Sequence, residues 1–189
     1  MKPLPWIADV EARVYHAVVD DGLADLVLGA VLLASAAGNS TGHRWLGGAA
    51  GGAAVSVWSI LRRYVTSPRA GVVRFQPARL SRIQRAARTA ALTAALCVTG
   101  FILLIASGWT SPTIGVPALA LTLGVPTAVV ANLFDLPRFY AYATAIMLDL
   151  MASPWHGQPF LLSGTVVAIS GAFVLTAFMR RTRRTGTMQ

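Results

Sequence analysis

Most of the sequence falls into six apolar segments separated by short polar stretches. A transmembrane helix needs about 20 residues, with about 17 at the short end of the usual range. The third, fourth and sixth segments reach that length, whereas the first and fifth are short and must extend into the membrane interface. The pattern therefore predicts an all-α membrane protein with six transmembrane helices. The segments are Leu23–Gly38, Trp45–Leu61, Thr89–Gly108, Ile114–Phe134, Phe139–Ala152 and Phe160–Met179.

Charge predicts the orientation of these segments. The stretch Arg62–Arg88, between the second and third segments, contains eight arginines, no lysine and no acid. Loops rich in arginine stay on the cytoplasmic side of a membrane. With this loop inside, alternation places both termini in the cytoplasm, and the arginines at 180, 181, 183 and 184 then obey the same rule. We expect a multi-pass protein of a prokaryotic cytoplasmic membrane.

The amino-acid composition excludes some classes of function. Hydrophobic residues make up 55% of the chain and charged residues 12%, so its 16 basic residues against 7 acids do not form the solvated basic face of a nucleic-acid binder. Anionic lipid head groups are the expected partners of this excess charge. Cys97 is the single cysteine, which excludes an internal disulfide and a CxxC motif.

The region before the first apolar segment has a helical apolar period. Ile7, Val10, Val14 and Val18 recur every three to four residues, opposite charged positions. Two interpretations stay open, a helix lying in the membrane interface and a helix packing over the cytoplasmic ends of the bundle. The expected organisation is an amphipathic helix at 1–21, a membrane domain at 22–179 with a basic loop at 62–88, and a basic tail at 180–189.

The arginines before the third segment repeat every third residue, as in voltage-sensing helices. A voltage sensor would carry these charges inside the membrane, but here they precede the apolar run that begins at Thr89. We therefore interpret them as an interfacial extension of the third helix, with side chains that reach lipid phosphates. The candidate lipid- or partner-binding residues are Arg69, Arg74, Arg79, Arg82, Arg85 and Arg88.

Small residues predict close packing between helices. The second segment contains Gly47, Gly48, Gly51 and Gly52, which form overlapping small-xxx-small pairs. Glycines also repeat at seven residues in the first segment (22 and 29) and in the sixth (164 and 171). The partner helix belongs either to the same chain or to another protomer, so a homo-oligomer or a membrane-protein partner is compatible with the pattern.

Four polar or helix-bending positions could form a pathway through the membrane: Asp25, Pro126, Asn132 and Asp149. Pro126 should kink the fourth helix and free a carbonyl, a feature of transporter sites and, more often, of ordinary packing. Asp149 must be paired, protonated or hydrated at membrane depth.

Two further expectations concern the ends of the fifth helix. His156 lies two helical turns after Asp149, but Pro154 is expected to end the helix before it. Asp135 is expected to cap the start of the fifth helix, near Arg138. The spacing of Asp149 and the histidines matches no metal motif, so we assign no metal, cofactor or catalytic residue.

Two short motifs carry a resemblance. The stretch Tyr64-Val-Thr-Ser-Pro68-Arg69-Ala-Gly71-Val-Val73, together with Asp21-Gly22-Leu, resembles a group of small prokaryotic membrane proteins of unknown activity. In that group a Pro-Arg-x-Gly-x-Val segment follows an early helical hairpin, and the resemblance implies no activity. Pro68 and Gly71 suit a tight turn, and Arg69 could bind a phosphate.

Three functions remain open at this stage. The first is a small transport or channel-type protein that uses the pathway residues. The second is a non-catalytic membrane subunit or scaffold that binds lipid or a cytoplasmic partner through the arginine-rich loop. The third is a lipid-modifying enzyme that uses Asp149 and the histidines His43 and His156; the general prediction is that the chain is not an enzyme.

Overall fold

The computed structural model describes residues 21–43, 45–66, 77–108 and 111–185, without the side chains of 77–79, 112 and 182–185. These ranges contain α-helices joined by short turns and no β-strand. A single π-helical turn, Arg62–Thr66, continues the second helix. The helices are α1 (Leu23–Ser40), α2 (Trp45–Leu61), α3 (Pro77–Ala106), α4 (Pro112–Phe134), α5 (Arg138–His156) and α6 (Leu161–Thr185).

Each predicted apolar segment thus lies in its own helix. Four of the helices, α1, α3, α4 and α6, are long and apolar enough to cross a membrane. The other two are α2, which has 17 residues, and α5, which has 19 residues but includes Arg138 and Asp149. The structure therefore supports an all-helical integral membrane protein with at least four candidate spans among the described residues.

Helix α1 packs against α6 through the glycines that repeat at seven residues. A Cβ atom on Gly29 would lie 2.6 Å from the backbone nitrogen of Ala168, and one on Gly171 would lie 2.6 Å from that of Leu26. Gly164 in turn approaches Leu32 and Leu33. The order of these contacts makes the two helices antiparallel. Because no side chain fits between the backbones, this interface requires glycine.

Helix α2 packs antiparallel along α1. A Cβ on Gly47 would collide with Ser35, and one on Gly51 would come within 4.0 Å of Val31. Gly48 and Gly52 have no neighbour within 4 Å among the described residues. The small-residue pattern of this helix therefore serves packing within the chain on one face and leaves the other face open.

The core lies between α1, α4, α5 and α6, and α5 contributes most of it. The buried cluster consists of Leu32, Ala120, Ala131, Leu136, Phe139, Tyr142, Ile146, Leu150 and Val167. In contrast, no described side chain of α2 or α3 is buried within the chain. These two outer helices flank the basic loop.

Two sequence expectations about α5 are wrong. Helix α5 continues through Pro154 to His156, because the carbonyl of Leu150, which Pro154 cannot bond, accepts the hydroxyl of Ser153 at 2.7 Å. Asp135 does not cap α5; it ends α4 in the left-handed conformation, with φ 57°, and its backbone N–H donates to Ala131. The residue before α5 is Pro137.

The arginine repeat lies on a helix, as expected. Helix α3 begins at Pro77, twelve residues before the apolar run, and Arg82, Arg85 and Arg88 are exposed on it. Arg79 lies in the same helix, although its side chain is not described. Arg69 and Arg74, the predicted turn at 68–71, the amphipathic segment before residue 21 and the end of the basic tail lie outside the described residues.

Candidate functional site

Apart from Thr122 of α4, the described polar residues of the interior form two groups at opposite ends of α5. The first, which we call the Asp25 cluster, joins residues from α1, the π-helical turn, α5 and α6. Its members are Asp21, Asp25, Thr66, Arg138, Tyr142 and Ser170. The second, the Asp149 cluster, joins the end of α5 to the start of α6 and comprises Asp149, His156 and Ser163.

Asp25 is fully buried in the first turn of α1. Its Oδ2 atom lies 2.9 Å from Nε of Arg138 and accepts a hydrogen bond of 3.2 Å from the hydroxyl of Tyr142. The same hydroxyl lies 2.7 Å from Oγ of Ser170 on α6. A buried carboxylate is stable only with such partners, so these contacts tie α1, α5 and α6 together.

Asp21 connects the start of α1 to the end of α2. Its Oδ1 accepts the backbone N–H of Leu23 at 2.9 Å, and its Oδ2 accepts the hydroxyl of Thr66 at 2.5 Å. Both side chains are buried. Between Asp21 and α1, Gly22 adopts a left-handed φ of 76° and touches the backbone of Gly171, so a larger residue is excluded by space and by conformation.

The contact between Asp21 and Thr66 joins the two motifs on which the family resemblance rests. One motif begins at Asp21 and the other includes Thr66, and 45 residues separate them in the chain. The end of the π-helical turn is therefore anchored to the first turn of α1. Sequence reasoning named both motifs but found no reason for them to meet.

Asp149 acts as a cap for α6 from another helix. Its Oδ2 accepts the backbone N–H of Ser163 at 2.8 Å and the hydroxyl of the same residue at 2.7 Å. Ser163 lies in the first turn of α6, where N–H groups have no partner within the helix. A carboxylate is also favoured there by the helix dipole.

His156 completes the Asp149 cluster. Its Nε2 lies 3.3 Å from Oδ1 of Asp149, and its side chain is 30% exposed whereas that of Asp149 is 2% exposed. Its Nδ1 accepts the backbone N–H of Gln158 at 3.3 Å. The continued helix brings together two residues that the sequence analysis separated.

The chemistry available to this second cluster is limited. Ser163 donates to the carboxylate and not to the imidazole, so the order differs from that of a serine hydrolase triad. Within the part of the chain that the structure describes, no group of three or more His, Cys, Asp or Glu residues could hold a metal ion. The other described histidine, His43, makes an edge contact with Trp45.

The four predicted pathway residues do not converge. Arg138 and Asp149 are eleven residues apart, which places the two clusters about 16 Å apart along α5. Ile146 and Val167, both 1% exposed or less, fill the space between them. Asn132 is exposed and donates to the hydroxyl of Tyr140 at 3.1 Å.

Pro126 is half-buried in a helix that continues from 112 to 134. The preceding Gly124 lies against Met147 of α5, where an added Cβ would come within 2.5 Å of its side chain. This part of α4 therefore contributes to packing against α5. The hydroxyl of Thr122 bonds back to the carbonyl of Ala118 at 2.8 Å.

Several cluster members carried no signal in the sequence. Tyr142, Ser163 and Ser170 are single polar residues in apolar runs, and such residues often bond to their own helix. Their partners are set by tertiary packing. Comparisons with known proteins found no matching family model, no similar curated protein and no similar solved structure.

Proposed function

We propose that the chain is a non-catalytic membrane subunit or scaffold whose arginine face on α3 binds acidic groups at the cytoplasmic surface. One observation carries this proposal. The buried carboxylates Asp25 and Asp149 are engaged by neighbouring helices, whereas Arg82, Arg85 and Arg88 are exposed and form no ion pair among the described residues. The polar interior thus holds the bundle together, and the free charge lies outside.

The proposal includes six membrane crossings with both termini in the cytoplasm. Tyr142 and Asp149 of α5 meet Ser170 and Ser163 of α6, so α5 lies beside a candidate span over much of its length. Similarly, α2 follows α1 back to the level of Asp21. These contacts support crossing by the two helices whose length or composition alone is insufficient. The positive-inside rule then favours the proposed orientation in a prokaryotic cytoplasmic membrane.

The surface of α3 supports a binding role. Its apolar stretch buries no described side chain against the rest of the chain, and the three arginines extend the helix on the side of the basic loop. A guanidinium group binds carboxylate and phosphate oxygens in bidentate fashion. The acidic groups are those of a protein partner or of anionic lipid. The resemblance to small prokaryotic membrane proteins is part of the same proposal and adds no activity.

The experiment is to purify the full chain from its membrane in mild detergent and determine the mass and composition of the complex. A partner protein at fixed stoichiometry is expected, and Arg82→Gln, Arg85→Gln and Arg88→Gln together should release it. If lipid is the partner, the same triple variant should lose anionic phospholipid instead. Retention of every bound component by the triple variant would contradict the proposal. A triple change at exposed neutral positions of α3, Gln84→Ala, Thr89→Ala and Thr99→Ala, is the matched control.

A transport function is the second candidate, and one observation favours it. The buried carboxylates of Asp25 and Asp149 lie near opposite ends of α5, and His156 connects Asp149 to the surface. A proton or cation carrier requires acidic groups at such positions. Flux through liposomes that is lost in Asp149→Asn would support it. A lipid-modifying enzyme built on Asp149 and His156 is the third candidate, and phospholipid turnover by the purified chain would test it.

A further inference from the structure

The outer face of α6 carries a groove that is mostly apolar along its length and basic at one end. The groove has a volume of about 580 Å³, within the range of ligand sites. Its lining residues are Ile169, Ala172, Phe173, Thr176, Ala177, Arg180 and Arg181. They recur at three to four residues, so they form one stripe on the helix.

This stripe is opposite the face that holds α6 in the bundle. The packing face includes Gly164, Val167 and Gly171, which are buried against other helices. In contrast, Ile169 and Phe173 on the stripe are 65% and 76% exposed. Among the described residues the groove is therefore lined by α6 alone and faces away from the bundle, and the surroundings of a membrane-spanning helix are lipid.

The dimensions of the groove fit one leaflet of a bilayer. From Ile169 to Arg181 the helix rises about 18 Å. The hydrocarbon core of a bilayer is about 30 Å thick, so one leaflet contributes about 15 Å. An acyl chain that begins near the middle of the membrane at Ile169 would end at the head-group level beside Arg180 and Arg181.

The charge at the end of the groove selects the head group. Arg180 and Arg181 are exposed, and neither forms an ion pair with a described residue. A phosphate is bound by guanidinium groups, and a second negative or hydroxyl-bearing group adds to the attraction. We propose that this groove is a binding site for one anionic phospholipid, with an acyl chain along Ile169, Ala172 and Phe173 and the phosphate at the two arginines.

This site is separate from the arginine face of α3, and it does not depend on the proposed subunit function. A lipid site with an apolar groove also differs from general attraction between basic residues and an anionic surface. Filling the groove with a larger side chain should reduce lipid binding only if the acyl chain occupies it. Both properties can be tested with the full chain in detergent.

The test is to measure lipid bound per chain by native mass spectrometry, with phosphatidylglycerol and phosphatidylcholine of identical acyl chains. Preference for phosphatidylglycerol is expected, and Arg180→Gln with Arg181→Gln should reduce its binding about fivefold per arginine, since each basic residue at an anionic surface contributes about 1 kcal/mol. The matched control is Arg63→Gln, which removes an exposed arginine that lies neither in the groove nor on the arginine face of α3, and it should leave the preference for phosphatidylglycerol unchanged. Equal binding of the two lipids, or an unchanged preference in the α6 variant, would overturn the proposal.

The apolar part of the site needs its own variant. Ala172→Trp should fill the groove and reduce lipid binding without changing the charge, whereas Val166→Trp, at an exposed position of α6 outside the groove, should not. A photo-reactive phenylalanine analogue at Phe173 identifies the occupant directly. A cross-link to phospholipid supports the proposal, and a cross-link to a second copy or to another part of the chain refutes it.

Discussion

Thr66 donates its hydroxyl to the carboxylate of Asp21, and this contact joins the end of the first helical hairpin to its beginning. Both residues are buried. The contact fixes the end of the π-helical turn against the start of α1. It also makes Asp21 a shared acceptor, because its other oxygen holds the first turn of α1.

Replacing Thr66 with Val should destabilise the bundle. The change preserves shape but leaves one buried carboxylate oxygen of Asp21 without its donor, at a cost of about 1 to 3 kcal/mol. Thermal unfolding in detergent measures the effect. Thr66→Ser keeps the hydroxyl and should remain close to the parent protein, and equal stability of the Val and Ser variants would show that the hydrogen bond contributes nothing.

The ion pair between Asp25 and Arg138 should show strong coupling. Arg138→Gln leaves a buried carboxylate short of positive charge, which costs about 3 to 5 kcal/mol when a buried pair is broken. Asp25→Asn has a similar effect on the arginine. The double variant should be more stable than the sum of the two losses predicts, as measured by a double-mutant cycle in detergent. Simple additivity would mean that the two charges do not interact.

The glycines of the α1–α6 interface should not accept a side chain. Gly29→Ala places a Cβ against the backbone of Ala168, and overpacking of this kind costs about 1 to 3 kcal/mol. Gly48→Ala on α2 meets no described atom within 4 Å and is the matched control. Melting temperatures of the two variants give the comparison, and equal values would contradict the close approach of the helices.

Asp149→Asn should preserve the fold. An asparagine oxygen can still accept both bonds from Ser163, so we expect a stability change below about 1 kcal/mol. Asp149→Leu removes the acceptor, leaves a buried N–H and hydroxyl unsatisfied, and should cost about 1 to 3 kcal/mol. If these two variants unfold at the same temperature, the capping role is wrong. A stable Asn variant also means that any loss of flux reports the charge of Asp149 and not unfolding.

Cysteine labelling should test the proposed topology. In a Cys97→Ala background, Ser40→Cys and Gln158→Cys are expected to react with a membrane-impermeant maleimide added to intact cells. Gln84→Cys, on the basic extension of α3, should react only after the cells are opened. Labelling of Gln84→Cys in intact cells would reverse the orientation, and protection of Gln158→Cys would remove the crossing by α5.

The number and type of the helices could be predicted from the sequence because they depend on local properties. Apolar runs bounded by glycine, proline or charge define each helix, and the seven-residue spacing of Gly22 and Gly29 predicts a close partner. The identity of that partner, α6, could not be read from the spacing. The partner of α1 depends on which helix lies beside it at the same depth in the bundle and presents a complementary face.

The polar contacts of the interior were largely beyond prediction. Arg138 was placed next to Asp135 by sequence proximity, but its partner is Asp25, more than one hundred residues earlier. Pro154 was expected to end α5, but the hydroxyl of Ser153 compensates for the missing backbone bond. The two errors have different causes. The partner of Arg138 is set by a contact between distant parts of the chain, whereas Ser153 bonds to a carbonyl three residues earlier in its own helix.

The two polar contacts between α5 and α6 have the same register, with Tyr142 beside Ser170 and Asp149 beside Ser163. Sliding one helix past the other by a single turn, about 5.4 Å, would break both contacts at once and separate the buried Asp149 from the buried Ser163. The two contacts therefore oppose any sliding between α5 and α6. Together they fix how far α6 is offset along α5.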